Sequence, residues 1–388
     1  MSFTKIINLP CRYKIWRPLH FQLIMSDILK PNQPIFNHNK HLTSTIDWLC
    51  RAQDIRNDCE DVGGVSAGWS FEDGWLPSYP ETSGYIIETF IDAANIVPDR
   101  QLIERAMKIA NWELSIQNAD GSFPGHFGEE SSQPVIFNTG QIMHGMNVSY
   151  QKFKDDKFLE SAVKAGKWLL TQQDEDGCWR RRTHNGIPHA YNTRAAWALL
   201  QTGLLASDEI LINAAKKNID WALTQQYENG WFDCNAFTPG AKPYTHTIAY
   251  AIRGILECGL LLSNEHYINS AYKSAQALAG AQQVNGALPG TFDENWQTSA
   301  YYVCLTGLAQ TSIIWSKLIH QCHKKELQPN VDKAIIYLKQ KHTITDDGKV
   351  NDGGIAGSFP IWGRYSMFEY PNWAAKFFAE ALISDRDQ

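Results

Sequence analysis

A six-fold recurrence constrains what this chain can fold into. A helical segment ends in Gln, and a short Asp/Asn/Gly loop with an aromatic or small residue usually follows. The copies begin at Gln53, Gln117, Gln173, Gln226, Gln283 and Gln340, in steps of 64, 56, 53, 57 and 57 residues. QNADGSF from Gln117, QQDEDGCW from Gln172 and QQYENGWF from Gln225 show the unit most clearly. A period of this length marks one supersecondary unit repeated, each copy burying its apolar face against the next. Six units point to a closed ring with a central mouth.

Runs such as ESAVKAGKWLLTQQ and NAAKKNIDWALTQQ precede the Gln positions. Their apolar residues fall at i, i+3, i+4 and i+7, as at Ala106, Ala110 and Leu114, which is helical spacing. The loop Gly suits the left-handed conformation that ends a helix. A second, more apolar helix then follows, for example RAAWALLQTGLL, IAYAIRGILECGLLL and AYYVCLTGLAQTSIIW. The expected fold is all-α, an (α/α)6 toroid of six helical hairpins with the more apolar second helices inside. Residues 41–388 form the ring, and residues 1–40 an N-terminal arm packed on it.

The repeat spans most of the 388 residues, so one domain is expected. A net charge of -6, and no Lys/Arg run longer than Arg180–Arg182, argue against nucleic acid as a partner. No apolar stretch approaches the roughly 18 residues of a membrane helix, so no integral membrane segment is expected. The opening residues lack the apolar core of a signal peptide, and the eight Cys are scattered. Both features fit a cytoplasmic protein with reduced thiols. No feature specifies an oligomeric state.

The starts of the second helices carry a polar register: Glu81-Thr82, Asn138-Thr139, Asn192-Thr193, His246-Thr247, Gln297-Thr298 and Tyr370-Pro371-Asn372. Thr serves as an N-cap and Pro suits a first turn. Folding gives no reason for the neighbouring residue to vary from Glu through Tyr, so these side chains are candidates for one pocket at the rim. Around them, SYPETSGY supplies Tyr79 and Glu81, and HAYNTR supplies Tyr191, Asn192 and Arg194. YTHTIAYAIR supplies His246, Tyr250 and Arg253, and RYSMFEYPNW supplies Arg364 and Tyr370.

Each residue type also has a plain structural use, since Tyr packs at helix ends and Arg pairs with Glu on neighbouring helices. Among the aromatics near the Gln loops, which include Phe123 and Phe127, Trp179 and Trp231 read as plugs between hairpins. Trp75, Trp296 and Trp362 lie nearer the polar register and read as sugar-stacking platforms. Asp233, Cys234 and His246 offer ligand types that zinc accepts, but no spacing is specific. No metal and no cofactor are expected.

The Gln-x-x-x-Gly-x-aromatic loops resemble the repeat of squalene–hopene cyclases and protein prenyltransferase β subunits, which implies an α/α toroid. The cyclases' Asp-x-Asp-Asp motif is missing, Asp58-Cys59-Glu60-Asp61 being the nearest stretch. GWLPSYPETSGYI, HAYNTRAAWALL and PIWGRYSMFEYPNWAAKFF resemble a bacterial prenyltransferase-like toroid family found with polysaccharide genes. Glu-Tyr-Pro is similar to a stretch of glucuronyl C5-epimerases, and many polysaccharide lyases are toroids. These resemblances imply a carbohydrate-active enzyme on an acidic, uronate-containing poly- or oligosaccharide, a lyase or C5-epimerase.

Such chemistry assigns Arg194 or Arg253, helped by Asn192 or Asn138, to the substrate carboxylate. Gln297, Arg364 and the three Trp platforms complete the binding set. His246 and one of Tyr79, Tyr191, Tyr250 or Tyr370 move the proton, with Glu81 positioning a hydroxyl or raising the basicity of a neighbour. Three alternatives compete. A glycoside hydrolase would pair Glu81 with Asp233, Asp293, Glu294 or Glu369. A class II terpene cyclase or prenyltransferase-like enzyme needs an aromatic, largely uncharged cavity. A non-catalytic sugar-binding protein would keep the aromatics alone.

Overall fold

The computed structural model describes residues 9–98, 100–126 and 132–386. Residues 1–8 of the N-terminal arm and Phe127 lie outside the described residues. After α1 (Leu9–Arg12) and α2 (Pro18–Leu29), twelve helices alternate between two layers. The outer layer is α3 (His38–Asp54), α5 (Leu102–Ile116), α7 (Asp156–Gln172), α9 (Glu209–Thr224), α11 (Glu265–Ala281) and α13 (Gln328–Gln340). The inner layer is α4 (Pro80–Ala93), α6 (Ile136–Phe153), α8 (Thr193–Ala206), α10 (Thr245–Leu262), α12 (Leu305–Cys322) and α14 (Asn372–Arg386). Each inner helix packs on the next, and α14 returns to α4, so the ring closes. An (α/α)6 toroid is the result.

Composition sorts the layers. α10 is buried continuously from Thr245 to Gly259, its polar His246, Arg253 and Glu257 included. α9 buries only a stripe that includes Leu211, Ala215, Ile219 and Ala222. Two-residue turns such as Ser207–Asp208 join α6, α8 and α10 to the outer helices after them, and the Gln loops cross the rim to the next repeat. Inner helices approach backbone to backbone where Gly removes a side chain. A Cβ on Gly145 of α6 would lie 2.2 Å from the Gly84 carbonyl of α4.

The recurrent Gln is a clamp between repeats. Gln117 Nε2 donates to Gly121 O of its own loop at 2.9 Å and to Ser161 O of the next outer helix at 3.0 Å. Gln173 does the same to Gly177 O and Ala214 O, both at 3.0 Å; at the fifth copy the donor is Gln282 rather than the expected Gln283, to Gly286 O and Asn330 O at 3.1 and 3.0 Å, and Gln226 donates to Ser270 O and Ser274 Oγ instead. The loop Gly is needed twice over. Gly177 has φ +88°, and a Cβ there would sit 2.3 Å from Lys217 O on the next outer helix.

The closing seam differs. Gly353 packs against Ser44 O of α3, but the side chains that meet there are histidines, His41 Nδ1 and His342 Nδ1 at 2.8 Å. Burial pushes His41 down to about 3 and His342 to about 4, so both are neutral. Short strands complete the seam. β1 (Gly68–Ser70) pairs with β2 (Gly74–Trp75) and with β5 (Glu369–Pro371), while β3 (Val303–Cys304) pairs with β4 (Ser358–Phe359). Asn372 Nδ2 donates to Ser66 O and Thr82 Oγ1, tying α14 to α4.

That β3–β4 pairing corrects the fifth second-helix. Its helix starts at Leu305, capped by Cys304 Sγ on Gly307 N, and not after Gln297-Thr298. Within the apolar run AYYVC, Val303 and Cys304 are extended because they pair with Phe359 and Ser358, distant in sequence. The N-terminal segment lies on the loops around β1 and β5. Arg12 Nε meets Glu72 at 2.7 Å, Tyr13 packs on Phe368, and Asp27 Oδ2 accepts from Ile361 N at 2.7 Å.

Two stability outcomes follow from the seams. Gln173→Ala should lower unfolding free energy by about 1–3 kcal/mol in urea titration, because two carbonyls lose a donor; Gly177→Ala should cost more. The His pair binds protons in the unfolded chain but not in the native one as pH falls below about 6.5. Its contribution is therefore fully present above that value and is lost down to about 4. The urea midpoint should drop from pH 7.5 to pH 5 more steeply than in His41→Leu/His342→Leu.

Candidate active site

Because the inner helices run parallel, their N-terminal ends meet at one rim, and a cavity of about 400 Å³ opens there. α4 contributes Tyr79 (its N-cap), Glu81 and Tyr85; α6 contributes Phe137 and Asn138. The turn before α8 brings Tyr191, and α10 brings Tyr244, His246 and Tyr250. Trp373 of α14 and the loop residues His126, His184, Phe237, Arg364, Tyr365 and Ser366 finish the wall. Glu81 is the only carboxylate lining the cavity among the described residues.

Glu81 Oε2 accepts from the Tyr79 hydroxyl at 2.7 Å, and Asn138 Nδ2 donates to that hydroxyl at 3.4 Å. Burial raises the Glu81 pKa to about 7, against the Tyr79 hydrogen bond and the charge of Arg194, which favour the anion. The carboxyl therefore changes protonation near neutrality. His246 behaves oppositely. Its Nδ1 lies 2.7 Å from the side-chain amide of Gln310 on α12. Burial, reinforced by Arg194, lowers its pKa to about 3, so it stays neutral. Burial likewise raises Tyr79, Tyr191 and Tyr250, keeping all three phenols protonated.

Seven of the residues singled out from sequence share this cavity: Tyr79, Glu81, Asn138, Tyr191, His246, Tyr250 and Arg364. Eight do not line it. Arg194 lies buried beside it, 5.1 Å from the Tyr250 ring, with Nε donating to Gln141 Oε1. Arg253 is held by Glu257 and Glu380. Asn192 is buried in the turn ahead of α8, and Tyr370 sits in β5 opposite Trp69. Gln297 is exposed, its N–H donating to Asp293 Oδ1. Trp75 packs on Trp48, Trp296 on Trp231 and Phe292, and Trp362 against the core.

The candidate partner carboxylates are also elsewhere. Asp233, Asp293 and Glu294 line a separate surface groove, and Glu369 lies in β5. Asp233 and Cys234 stand apart from His246, and no group of three metal-ligating side chains occurs among the described residues.

Among the inner helices, charge fills the space beyond the cavity. Glu257 binds Arg253 and Lys317, and Glu380 binds Arg253 and Lys376. Cavity residues not singled out from sequence include His126, His184, Phe137, Phe237, Ser366 and Trp373. Phe137 and Trp373 adjoin the register residues Asn138 and Asn372, and that adjacency was the available signal. His126, His184 and Phe237 sit in loops without helical period, where no register marks them.

Comparison with known proteins bears on this frame. The sequence profile of the squalene–hopene cyclase C-terminal domain matches residues 77–260. The squalene–hopene cyclase of Zymomonas mobilis is 23% identical over 312 residues, 74% of this chain and 44% of the cyclase. The chain thus spans less than half the length of that relative. In structure, it is similar to an unsaturated glucuronyl hydrolase specific for heparin, with TM-score 0.72 and 14% identity over 90% of this chain and 97% of the other. A sugar epimerase from a ruminal bacterium gives TM-score 0.71 and 13% identity over 90% and 98%. The chain is an α/α toroid that resembles the squalene–hopene cyclases in sequence.

The Tyr79–Glu81 bond has a direct check. Tyr79→Phe removes a donor to the carboxylate and should raise the Glu81 pKa further. Carboxyl titration followed by infrared difference or 13C NMR measures it; an unchanged titration would show that the bond does not tune Glu81.

Proposed function

We propose that the protein is a carbohydrate-active enzyme that removes the C5 proton of a uronate residue held in this cavity, with Glu81 as the base. The observation that carries the reading is a single carboxyl, half-ionised near neutrality, oriented by a phenol in a sugar-sized cavity of rings and neutral donors. Arg364 at the wall is the counter-ion for the substrate carboxylate, in place of the occupied Arg194 and Arg253. Asn138 and His246 donate to substrate oxygens. Aromatic walls stack on the sugar ring.

In the proposed step the C5–H electron pair moves into the carboxylate as Glu81 takes the proton. Return of a proton to the opposite face, from Tyr191 or Tyr250, inverts C5. Expulsion of the oxygen at C4, protonated by the same phenol, leaves an unsaturated uronate. A glycosidase using two carboxylates finds one in this cavity among the described residues. The glucuronyl hydrolase and epimerase likenesses support sugars as ligands of such a toroid, as analogy.

A second reading has its own observation. Rings surround the cavity, and the sequence resemblance runs to cyclases that handle hydrocarbon cations. Aromatic faces stabilise cations, and protonated Glu81 would be the acid. The charge cluster of Arg253, Glu257, Lys317, Lys376 and Glu380 leaves little room for a long hydrocarbon, so sugars are preferred.

Incubation with uronate-containing oligosaccharides in deuterated water decides between them. Deuterium should enter at C5, read by NMR, with or without the absorbance of an unsaturated uronate. Glu81→Gln should reduce the rate by about 10²–10⁴-fold. The rate should rise with pH and level off above about 7, since the ionised carboxyl is the active form. Turnover of squalene or a prenyl substrate without any C5 exchange would establish the second reading instead.

A further inference from the structure

The described residues expose fifteen large hydrophobic side chains, and six of them fall within residues 16–36. Trp16 is 62% exposed, Phe21 58%, Ile28 55% and Leu29 70%; Ile35 and Phe36 follow at 50% and 42%. The pattern in α2 is ordered. His20 and Leu23 are buried, Ile24 packs on the core, and Asp27 is bonded to Ile361 N. The exposed residues of α2 are Pro18, Phe21, Gln22, Ile28 and Leu29, with Met25 half-buried between Phe21 and Ile28 on the same side. A surface helix normally turns its polar side outward. Here the outward side is largely apolar.

Charge identifies what covers it. Between Leu9 and Asn37 stand four cations, Arg12, Lys14, Arg17 and Lys30, and one anion, Asp27, which is turned onto the ring. The whole chain carries -6. Arg12 and Lys14 are held on Glu72, whereas Arg17 and Lys30 are exposed at the two ends of α2, flanking the apolar stripe. A second copy of this face related by two-fold symmetry would bring like charges together. An anionic lipid surface complements both features, since headgroups meet the cations and acyl chains receive the apolar stripe. Trp16 at the edge suits the interfacial zone.

We propose that the outward face of α2, with Trp16 and the segment to Phe36, seats the protein on an anionic membrane surface. This inference stands apart from the chemistry of the cavity. Its geometry nonetheless connects the two, because Asp27 grips the loop that carries Arg364 into the cavity wall.

Vesicle co-sedimentation of the full chain tests it, using phosphatidylcholine alone and an equal mixture with phosphatidylglycerol. The protein should sediment with the anionic vesicles, less as salt rises, and little with phosphatidylcholine. Phe21→Ser/Ile28→Ser and Arg17→Glu/Lys30→Glu should each reduce the partition coefficient at least about tenfold, with thermal melting unchanged. Failure of the unaltered protein to sediment, or binding by either variant equal to it, would overturn the proposal. Light scattering that shows a dimer, turned into monomer by Phe21→Ser/Ile28→Ser, would overturn it in favour of an interface between copies.

Discussion

The toroid depends on one repeated contact, in which a Gln side chain at the end of an outer helix donates both amide hydrogens to carbonyls. One carbonyl belongs to its own loop and the other to the next outer helix, as with Gln173 on Gly177 and Ala214. The first carbonyl belongs to a crossing loop, and the second lies inside an outer helix. A fixed amide satisfies both at once and so fixes the distance and angle between neighbouring hairpins. The glycine beside it lets two backbones touch. Repeating a fixed angle closes a ring.

Closure then places chemistry without further specification. Inner helices joined by identical crossings start on the same rim, so residues far apart in sequence, Glu81, Asn138, Tyr191, His246 and Trp373, meet around one opening. The two ends of the chain meet through β1 and β5, and that join carries the loop with Arg364 and Tyr365 into the wall. On the barrel axis, the ion pairs of Arg253, Glu257 and Glu380 occupy space that a wider toroid would leave open. Buried pairs of this kind contribute little net stability. Their effect here is to bound the cavity.

Much of the frame was legible because it rests on local signals. The Gln-loop period and the apolar second helices named the layers and their number, and the Thr register located the rim. Glu81, Asn138 and His246 each sit one residue before a Thr in the first turn of an inner helix, but those Thr residues do not cap, because the N-caps are Tyr79, Val135 and Tyr244. The signal failed where long-range pairing overrode it. Gln297-Thr298 imitates the register, yet β3 pairs with β4 and delays the fifth inner helix to Leu305. Tyr370 follows Gln297 by 73 residues, well beyond the other steps, and is drawn into β5 against Trp69. Of the tryptophans taken as platforms, Trp75 and Trp296 found ring partners of their own, on Trp48 and Trp231.

By itself, then, the sequence determined an α/α toroid of six repeats, its inner and outer layers, and the rim at which polar side chains collect. Periodicity and turn chemistry act over a few residues, and a repeat multiplies them into an architecture. Only the tertiary structure decided which polar groups are available. Arg194 and Arg253 look alike as candidates in the sequence, but rings enclose one and carboxylates hold the other. Likewise, desolvation holds His246 neutral and brings Glu81 to ionisation near pH 7. Burial and charge depend on neighbours that arrive from every part of the chain, and no local pattern encodes them.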